Sequence, residues 1–408
     1  MKKNTGQMKS RNILISGAGV AGLALAYWLH RHHFHPVVME SAPSLRDAGY
    51  KVDIRGAAVQ VIERMGLLLD VSKSKVNMRE AFFVNRWGRR LASMDADLFG
   101  GRARGDIEIL RGDLIRILYQ AIYQDVEVRF DDSITSFSQN EEGVDVEFMH
   151  GQKSSFDLVV GADGLHSNVR ALSFGDESHF IRKLDHYIAI FSSPNHLGLD
   201  GQEILYAAPG KTVNVYSTGK DSKVQVYLMF AARSLEYDHR DVDRQKKIVI
   251  ESFKGAGWDV PFLLEQLSQA PDFYFDAFSQ INMDRWANER VVLVGDAGYC
   301  ASPASGQGTS LALVGAHVLA GELLAAAGDH QKAFFYYESA MRDFAVQNQS
   351  LAESNLQGMV LKSNAQIWFQ MQMIRLLPYL PGKDRIIGRV ADAIHRAATA
   401  IQIRDYSV

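Results

Sequence analysis

Three apolar runs in this chain each stop at a glycine, and that repeated arrangement restricts the fold more than any other feature. Ile13-Leu14-Ile15 leads into Gly17-Ala18-Gly19-Val20-Ala21-Gly22, which opens a helical pattern through Trp28 and Leu29. Leu158-Val159-Val160 leads into Gly161-Ala162-Asp163-Gly164, followed by His166-Ser167-Asn168-Val169-Arg170. Val291-Val292-Leu293-Val294 leads into Gly295-Asp296-Ala297 and runs on to Pro303 and Gly306-Gln307-Gly308. Short continuous apolar runs bounded by glycine read as fully buried parallel strands. In such sheets ligands sit beyond the carboxyl ends of the strands, where these glycines fall.

The first turn has a defined physical use. Gly17 allows the tight strand-to-helix bend, Gly19 admits a pyrophosphate close to the backbone, and Gly22 lets helix and strand pack closely. The helix N-terminus after Ala18 and Ala21 offers unpaired N–H groups to phosphates. Glu40 ends the next strand, Pro36-Val37-Val38-Met39-Glu40, where an acidic side chain accepts from the hydroxyls of an adenosine ribose. Alone, this turn serves NAD as well as FAD. Asp296 directly follows an apolar strand, and too long a loop separates it from the helix near Leu311 for a simple cap. The loop Ser305-Gly306-Gln307-Gly308-Thr309 precedes that helix, so its N–H groups suit negative charge developing on an isoalloxazine ring. Asp163 reads equally as a turn aspartate, but Ser167 and Arg170 beside it favour a functional role. Together the three elements point to FAD.

Composition removes other classes. The 408 residues are 47% hydrophobic and carry a net charge of -3, which gives no surplus for nucleic acid. One cysteine, Cys300, permits no internal disulfide and no redox pair, and fits a reducing compartment. Lys2, Lys3 and Lys9 precede a short apolar run that reads as a first strand, not a leader. No uninterrupted apolar stretch of about 18 residues exists, so neither a span nor stable membrane association is expected. Cytoplasmic location follows as the expectation. The run His30-Arg31-His32-His33-Phe34-His35 reads as a solvated cluster at a helix-to-strand turn, and no metal site is expected.

The expected fold class is α/β: a Rossmann-like FAD-binding domain, 11–180 and 285–330, with an inserted antiparallel-sheet substrate domain, 181–284. Helices over 331–408 form a C-terminal extension. A helix is expected over residues 56 to 70, a hairpin over Phe82 to Met94, and an amphipathic helix over Leu110 to Tyr123. Alternating runs at Tyr187-Ile188-Ala189-Ile190-Phe191, Thr212-Val213-Asn214-Val215-Tyr216 and Val224-Gln225-Val226-Tyr227-Leu228 predict the antiparallel sheet. Phe191, Tyr206 and Tyr216 are candidates for its substrate-facing side. One helix is expected from Gln331 to about Leu377 and another from Lys383 to Ile403. The stripe Ile367, Trp368, Met371, Ile374 and Leu377 makes Trp368 and Met371 candidates for a gate over the substrate.

The three motifs, in this order, resemble those of the group A flavoprotein monooxygenases over about Arg11 to Arg342. A closer resemblance is to the tetracycline destructases of the soil and Legionella-type branch. It rests on Val52-Asp53-Ile54-Arg55-Gly56, Glu108-Ile109-Leu110-Arg111-Gly112-Asp113-Leu114, Pro194-Asn195-His196-Leu197-Gly198-Leu199-Asp200, Asp272-Phe273-Tyr274-Phe275-Asp276-Ala277 and Gly295-Asp296-Ala297-Gly298-Tyr299-Cys300. The resemblance implies FAD contacts at Asp53, Arg111 and Asp296 and an NADPH contact at Arg46. It implies a monomer that uses NADPH and O2 to hydroxylate and inactivate tetracyclines through a flavin C4a-hydroperoxide, with no catalytic side-chain constellation, because the cofactor supplies the chemistry. Tyr299 replaces the usual His, Gly298 the usual Ala and Thr309 a frequent Asn, which argues against a simple phenol substrate. The alternatives are a related hydroxylase of another polyketide or aromatic metabolite, and a non-catalytic binding protein on the same fold.

Overall fold

The computed structural model describes residues 11–45, 49–220, 222–233, 235–379 and 392–406. A six-stranded sheet has the order Ala287–Asn288, Val291–Leu293, Leu158–Gly161, Asn12–Ser16, His35–Met39, Glu127–Arg129. All its pairings are parallel except the first. The three glycine-terminated strands are adjacent, so their carboxyl ends open on one crevice. Val20–Arg31 and Gly308–Ala325 cover the sheet and share one core with Ile13, Ile15, Val159, Val292 and Leu313. The close approach foreseen at Gly22 is present: a Cβ there would overlap the Gly17 carbonyl oxygen. Gly308–Ala325 is apolar and long enough to cross a membrane, yet 78% of it is buried as the core helix.

The second sheet has seven strands, ordered Tyr274–Ile281, Ile181–Pro194, Lys223–Ala231, Lys211–Ser217, Gln202–Ala208, Glu80–Val84, Arg90–Asp95. Two of them come from 80–95, residues that the sequence assigns to the cofactor domain. Gln202–Ala208 pairs with Glu80–Val84 in parallel, Ile204 opposite Phe82. Because side chains alternate across a strand, each face has its own core. Tyr187, Ala189, Phe191, Val213, Val215 and Leu228 pack beneath the helices Val242–Phe253 and Val260–Gln269, against Phe253 and Leu263. Ile188, Ile190, Met229 and Phe278 face the cofactor domain and meet Ala304 and Leu356.

Three helical expectations change in detail. Residues 57–73 form two helices, Ala57–Arg64 and Leu68–Lys73, parted at Gly66. The run expected from 331 to 377 is also two helices, His330–Met359 and Asn364–Leu376. Val360 turns extended, and the Ser363 hydroxyl caps the second helix by accepting the Gln366 N–H at 3.3 Å. The Thr212 hydroxyl donates to the Met359 carbonyl at 2.6 Å, and the Gly210 N–H donates to the Leu361 carbonyl at 2.7 Å. These bonds pin the break to the sheet. Of the last expected helix, 392–398 is helical and 383–391 lies outside the described residues.

Candidate functional site

The first turn is built as its glycines require. Gly17 donates its N–H to the Met39 carbonyl at 2.6 Å, and Ala18 donates to Glu40 Oε2 at 2.9 Å. Ala42 donates to Glu40 Oε1, also at 2.9 Å. The carboxylate is thus fixed at the strand end with lone pairs to spare. Val20–Arg31 starts at Gly19 with no side-chain cap and no acid in its first turn. Its leading N–H groups are left to an anion.

The third element meets the first at Gly295. Its φ of 67° is left-handed, and a Cβ there would stand 3.0 Å from the Ala21 Cβ and 3.8 Å from the Ala312 Cβ. Both helix N-termini therefore converge on this glycine. Asp296 opens the short helix Asp296–Tyr299, and a Cβ on Gly308 would lie 3.8 Å from its Oδ1. Burial pushes the Asp296 carboxyl up, opposed by its hydrogen bond with Cys300 and by the positive Arg111. Arg111 also lies over the first turn, its Nη2 3.8 Å from the Cβ that Gly19 lacks.

In the loop before the core helix, Gly306 donates to the Pro303 carbonyl and Gln307 to the Ser305 hydroxyl, both at 3.1 Å. Their N–H groups are spent within the loop, which corrects the sequence reading of this segment. The groups open to a ligand are those of Gly308 and Thr309, the first residues of a helix with no side-chain cap. Gln307 is fully buried, and neither end of its amide has a partner. A buried amide so placed is satisfied when a polar ligand fills the crevice.

Asp163 is used differently. Its carboxylate accepts from Ser167 Oγ, from Ser16 Oγ at 3.4 Å and from the Val169 N–H at 3.0 Å. It knits the first strand to the helix Asn168–Phe174, which supports the turn-aspartate reading. Arg170, wholly buried, donates to the Ala297 carbonyl at 2.9 Å and to Glu177 at 2.7 Å, tying the second motif to the third. Asp53 pairs with Arg55 at 2.6 Å and Arg102 at 3.6 Å, and its Oδ1 accepts no hydrogen bond. The Arg55 N–H donates to Ser310 Oγ at 3.1 Å, which brings this strand beside the core-helix start. Arg46 lies outside the described residues.

The substrate candidates divide. Phe191 and Tyr206 belong to the face beneath the helices, where the Tyr206 hydroxyl accepts the Gly257 N–H at 3.2 Å. Neither looks toward the crevice. Tyr216 does: its hydroxyl accepts the Lys51 N–H at 2.9 Å and lies 3.1 Å from the Tyr227 hydroxyl. Lys51 Nζ stands 4.3 Å over its ring and pairs with Glu203 at 2.8 Å. Met371 is 4% exposed, seated with Ile367 and Ile374 on Ala81, Phe83 and Leu205. Trp368 points away, 65% exposed, so the structure does not turn it toward the substrate face.

Sequence reasoning missed Tyr227, Tyr50 and His166. Counting by twos from Tyr216 and across the hairpin would have found Tyr227. Tyr50 accepts the Arg111 N–H through its carbonyl at 3.0 Å; burial raises its phenol, with Arg111 opposing. His166 bridges Asp276 at 3.1 Å and Glu177 at 2.9 Å, and those bonds raise it to about 9. The histidine run divides: His30, His33 and His35 are exposed, while His32 is half-buried and stacked on Trp28 at 5.9 Å. Among the described residues no group of three His, Cys, Asp or Glu side chains is placed to hold a metal.

A family model described as an FAD binding domain matches residues 10–348. A flavin-dependent monooxygenase of Legionella longbeachae is 39% identical over 341 residues, which is 84% of this chain and 87% of that protein. The crystal structure of tetracycline destructase Tet(55) superposes with a TM-score of 0.84 at 35% identity, covering 97% of this chain and 99% of that one. That of tetracycline destructase Tet(51) gives 0.84 at 33%, covering 96% and 99%.

Proposed function

The chain belongs to the FAD-binding-domain family of flavin-dependent monooxygenases, and on that premise we propose that it oxygenates tetracyclines with NADPH and O2. The observation that carries the reading is the convergence on Gly295 of two uncapped helix N-termini, Asp296 and the unpartnered Gln307 amide. The likeness to two tetracycline destructases along nearly the whole chain supports the substrate class.

Each residue has a separable task. With the Ala18 N–H held by Glu40, the N–H groups of Gly19 and Ala21 would bracket the pyrophosphate of FAD, and Arg111 would neutralise its charge. Glu40 accepts from the adenosine ribose. Asp296 and Pro303 hold the riboflavin end, and Gln307, Gly308 and Thr309 donate to the ring edge. Asp53 would approach the same end through Oδ1, which accepts no hydrogen bond, and Arg46 would pair with the phosphate of NADPH. FAD, when bound, supplies oxygen activation. The protein positions the acceptor between that ring and the sheet face of Ile190, Tyr216, Tyr227, Met229 and Phe278. Apolar side chains there exclude water, while the paired phenols of Tyr216 and Tyr227 offer hydrogen bonds to an oxygen-rich polycycle.

The test is to incubate the yellow holoenzyme with NADPH and tetracycline, following drug absorbance and product mass. One added oxygen atom per drug, with NADPH oxidation faster when drug is present, is the expected result. Unmodified drug after prolonged turnover removes the tetracycline reading and leaves the flavoenzyme. Equal NADPH kinetics in Arg46→Ala would remove Arg46 from its role.

A further inference from the structure

The helix Asn364–Leu376 has two apolar stripes, and only one is covered. Ile367, Met371 and Ile374 sit on the sheet edge. On the opposite side Trp368, Phe369, Met373 and Leu376 recur at three- and four-residue spacing and stand exposed, continued by Tyr379 at 84%. Clustered exposed apolar residues of this size mark a contact surface.

The charges around this face have one sign along the helix. From Lys362 to Tyr379 the only charged residues are Lys362 and Arg375, in a chain whose net charge is -3. A cavity of about 460 Å³ separates the helix from the sheet edge; Arg86, Lys211 and Lys254 line it with Ile367 and Met371, and no acid does. Next to Arg86, Trp87 is 80% exposed at the hairpin tip. Glu251 pairs with Lys254 at 3.8 Å outside that cavity, and on the other flank Glu80 and Asp95 line a separate cavity beside Ile374 and Leu377.

We propose that this face docks reversibly on an anionic lipid surface, the outward stripe entering the headgroup boundary and the basic residues beside the helix meeting lipid phosphates. Aromatic and aliphatic residues on one side of a helix, with lysine and arginine beside them, are what such docking needs. A second copy of the chain fits worse, because a two-fold contact through this face would set its basic residues against themselves. Docking of this kind differs from stable membrane association, since about two helical turns of amphipathic contact are weak and salt-sensitive. It would place the enzyme where apolar substrates concentrate.

The experiment uses the FAD-loaded full chain and extruded vesicles of phosphatidylcholine, with or without phosphatidylglycerol. Sedimentation with the anionic vesicles only, accompanied by a blue shift of tryptophan emission as Trp368 leaves water, is expected. The double variant Phe369→Ser/Leu376→Ser should lose at least tenfold in vesicle affinity with melting temperature and FAD content unchanged, both positions being on the surface. Lys211→Gln/Lys254→Gln should weaken binding to the anionic vesicles severalfold. Absence of sedimentation at low ionic strength overturns the proposal, as does undiminished binding by the serine double variant. A dimer in light scattering that the serine variant splits would instead give the face to a second copy. A raised KM for drug in that variant without vesicles would give it to the substrate.

Discussion

Glu40 and Ala18 are joined by a hydrogen bond of 2.9 Å that runs from the backbone of the glycine turn to the carboxylate closing the next strand. With Ala42 on the other oxygen, the carboxylate proposed to accept from the adenosine ribose is held in place before any ligand arrives. Glu40→Ala removes the ribose partner and strands two N–H groups. Charged hydrogen bonds contribute about 1.5–3 kcal/mol each, so FAD affinity should fall roughly tenfold to a hundredfold. Reconstitution of stripped enzyme, followed by flavin fluorescence, measures it; an unchanged Kd would detach Glu40 from the cofactor.

Asp296→Ala should release FAD on dialysis, and Asp296→Asn should retain more of it. The asparagine keeps the shape and the hydrogen-bonding edge beside Gly308 while removing a charge that burial already disfavours. Full flavin occupancy in the alanine variant would place Asp296 outside the site.

His166 makes stability fall on the alkaline side. Its partners Asp276 and Glu177 raise it from 6.5 to about 9. A raised histidine adds stability that is complete below pH 6.5 and is lost as pH rises through about 9. The side chain is 32% exposed, so solvent screening trims the contribution to about 1–2 kcal/mol. Melting temperature against pH should drop between these limits in the parent and stay flat in His166→Gln. Parallel curves would refute the assignment.

His317 acts at the other end of the scale. Buried beneath the chain terminus, it approaches the Arg404 carbonyl at 3.2 Å through Nε2 and is lowered to about 4, mainly by burial. A depressed histidine stabilises above pH 6.5, and that stability drains away as pH falls toward 4. Trp28 packs against it at 4.6 Å, and His32, also lowered to about 4 mainly by burial, stacks on the same Trp28 ring at 5.9 Å. His317→Asn should melt lower at neutral pH but lose stability less steeply between pH 6.5 and 4. An unchanged slope in thermal scans would count against the histidine as the titrating group.

Trp368 and Met371 should separate cleanly when truncated. Met371→Ala opens space in a seat that already borders a cavity, and should cost about 2–3 kcal/mol with FAD content intact. Trp368→Ala removes an outward side chain and should move neither melting temperature nor KM in free solution. A large KM effect at Trp368 would mean that the helix turns over when substrate binds.

The glycine turns were legible because their demands are local. Gly17, Gly22 and Gly295 announce tight approach within a few residues, and the strands before them need no distant information. The sheet face was not legible in the same way. Phe191, Tyr206 and Tyr216 are all large, buried and set in alternating runs, and only the phase of the alternation separates them. That phase depends on where Val242–Phe253 and Val260–Gln269 pack, a tertiary fact. The break after Met359 was hidden too, since it is held by bonds from Gly210 and Thr212 in a remote hairpin. Asp163 was not legible either, because a buried turn aspartate and a ligand-binding one share the same neighbours in sequence.

The pairing of Phe82 with Ile204 has a consequence for how the protein is made. The hairpin Glu80–Asp95 emerges from the ribosome with one edge open, and its neighbour Gln202–Ala208 follows only after the intervening chain is synthesised. At about 5–20 residues per second, that edge waits on the order of ten seconds. An unpaired edge strand invites pairing with other chains. Yield in a foreign host should therefore respond to translation speed and to chaperones that shield nascent strands. For the same reason, excising 181–284 as a stand-alone piece would expose the strand Gln202–Ala208 that the early hairpin covers.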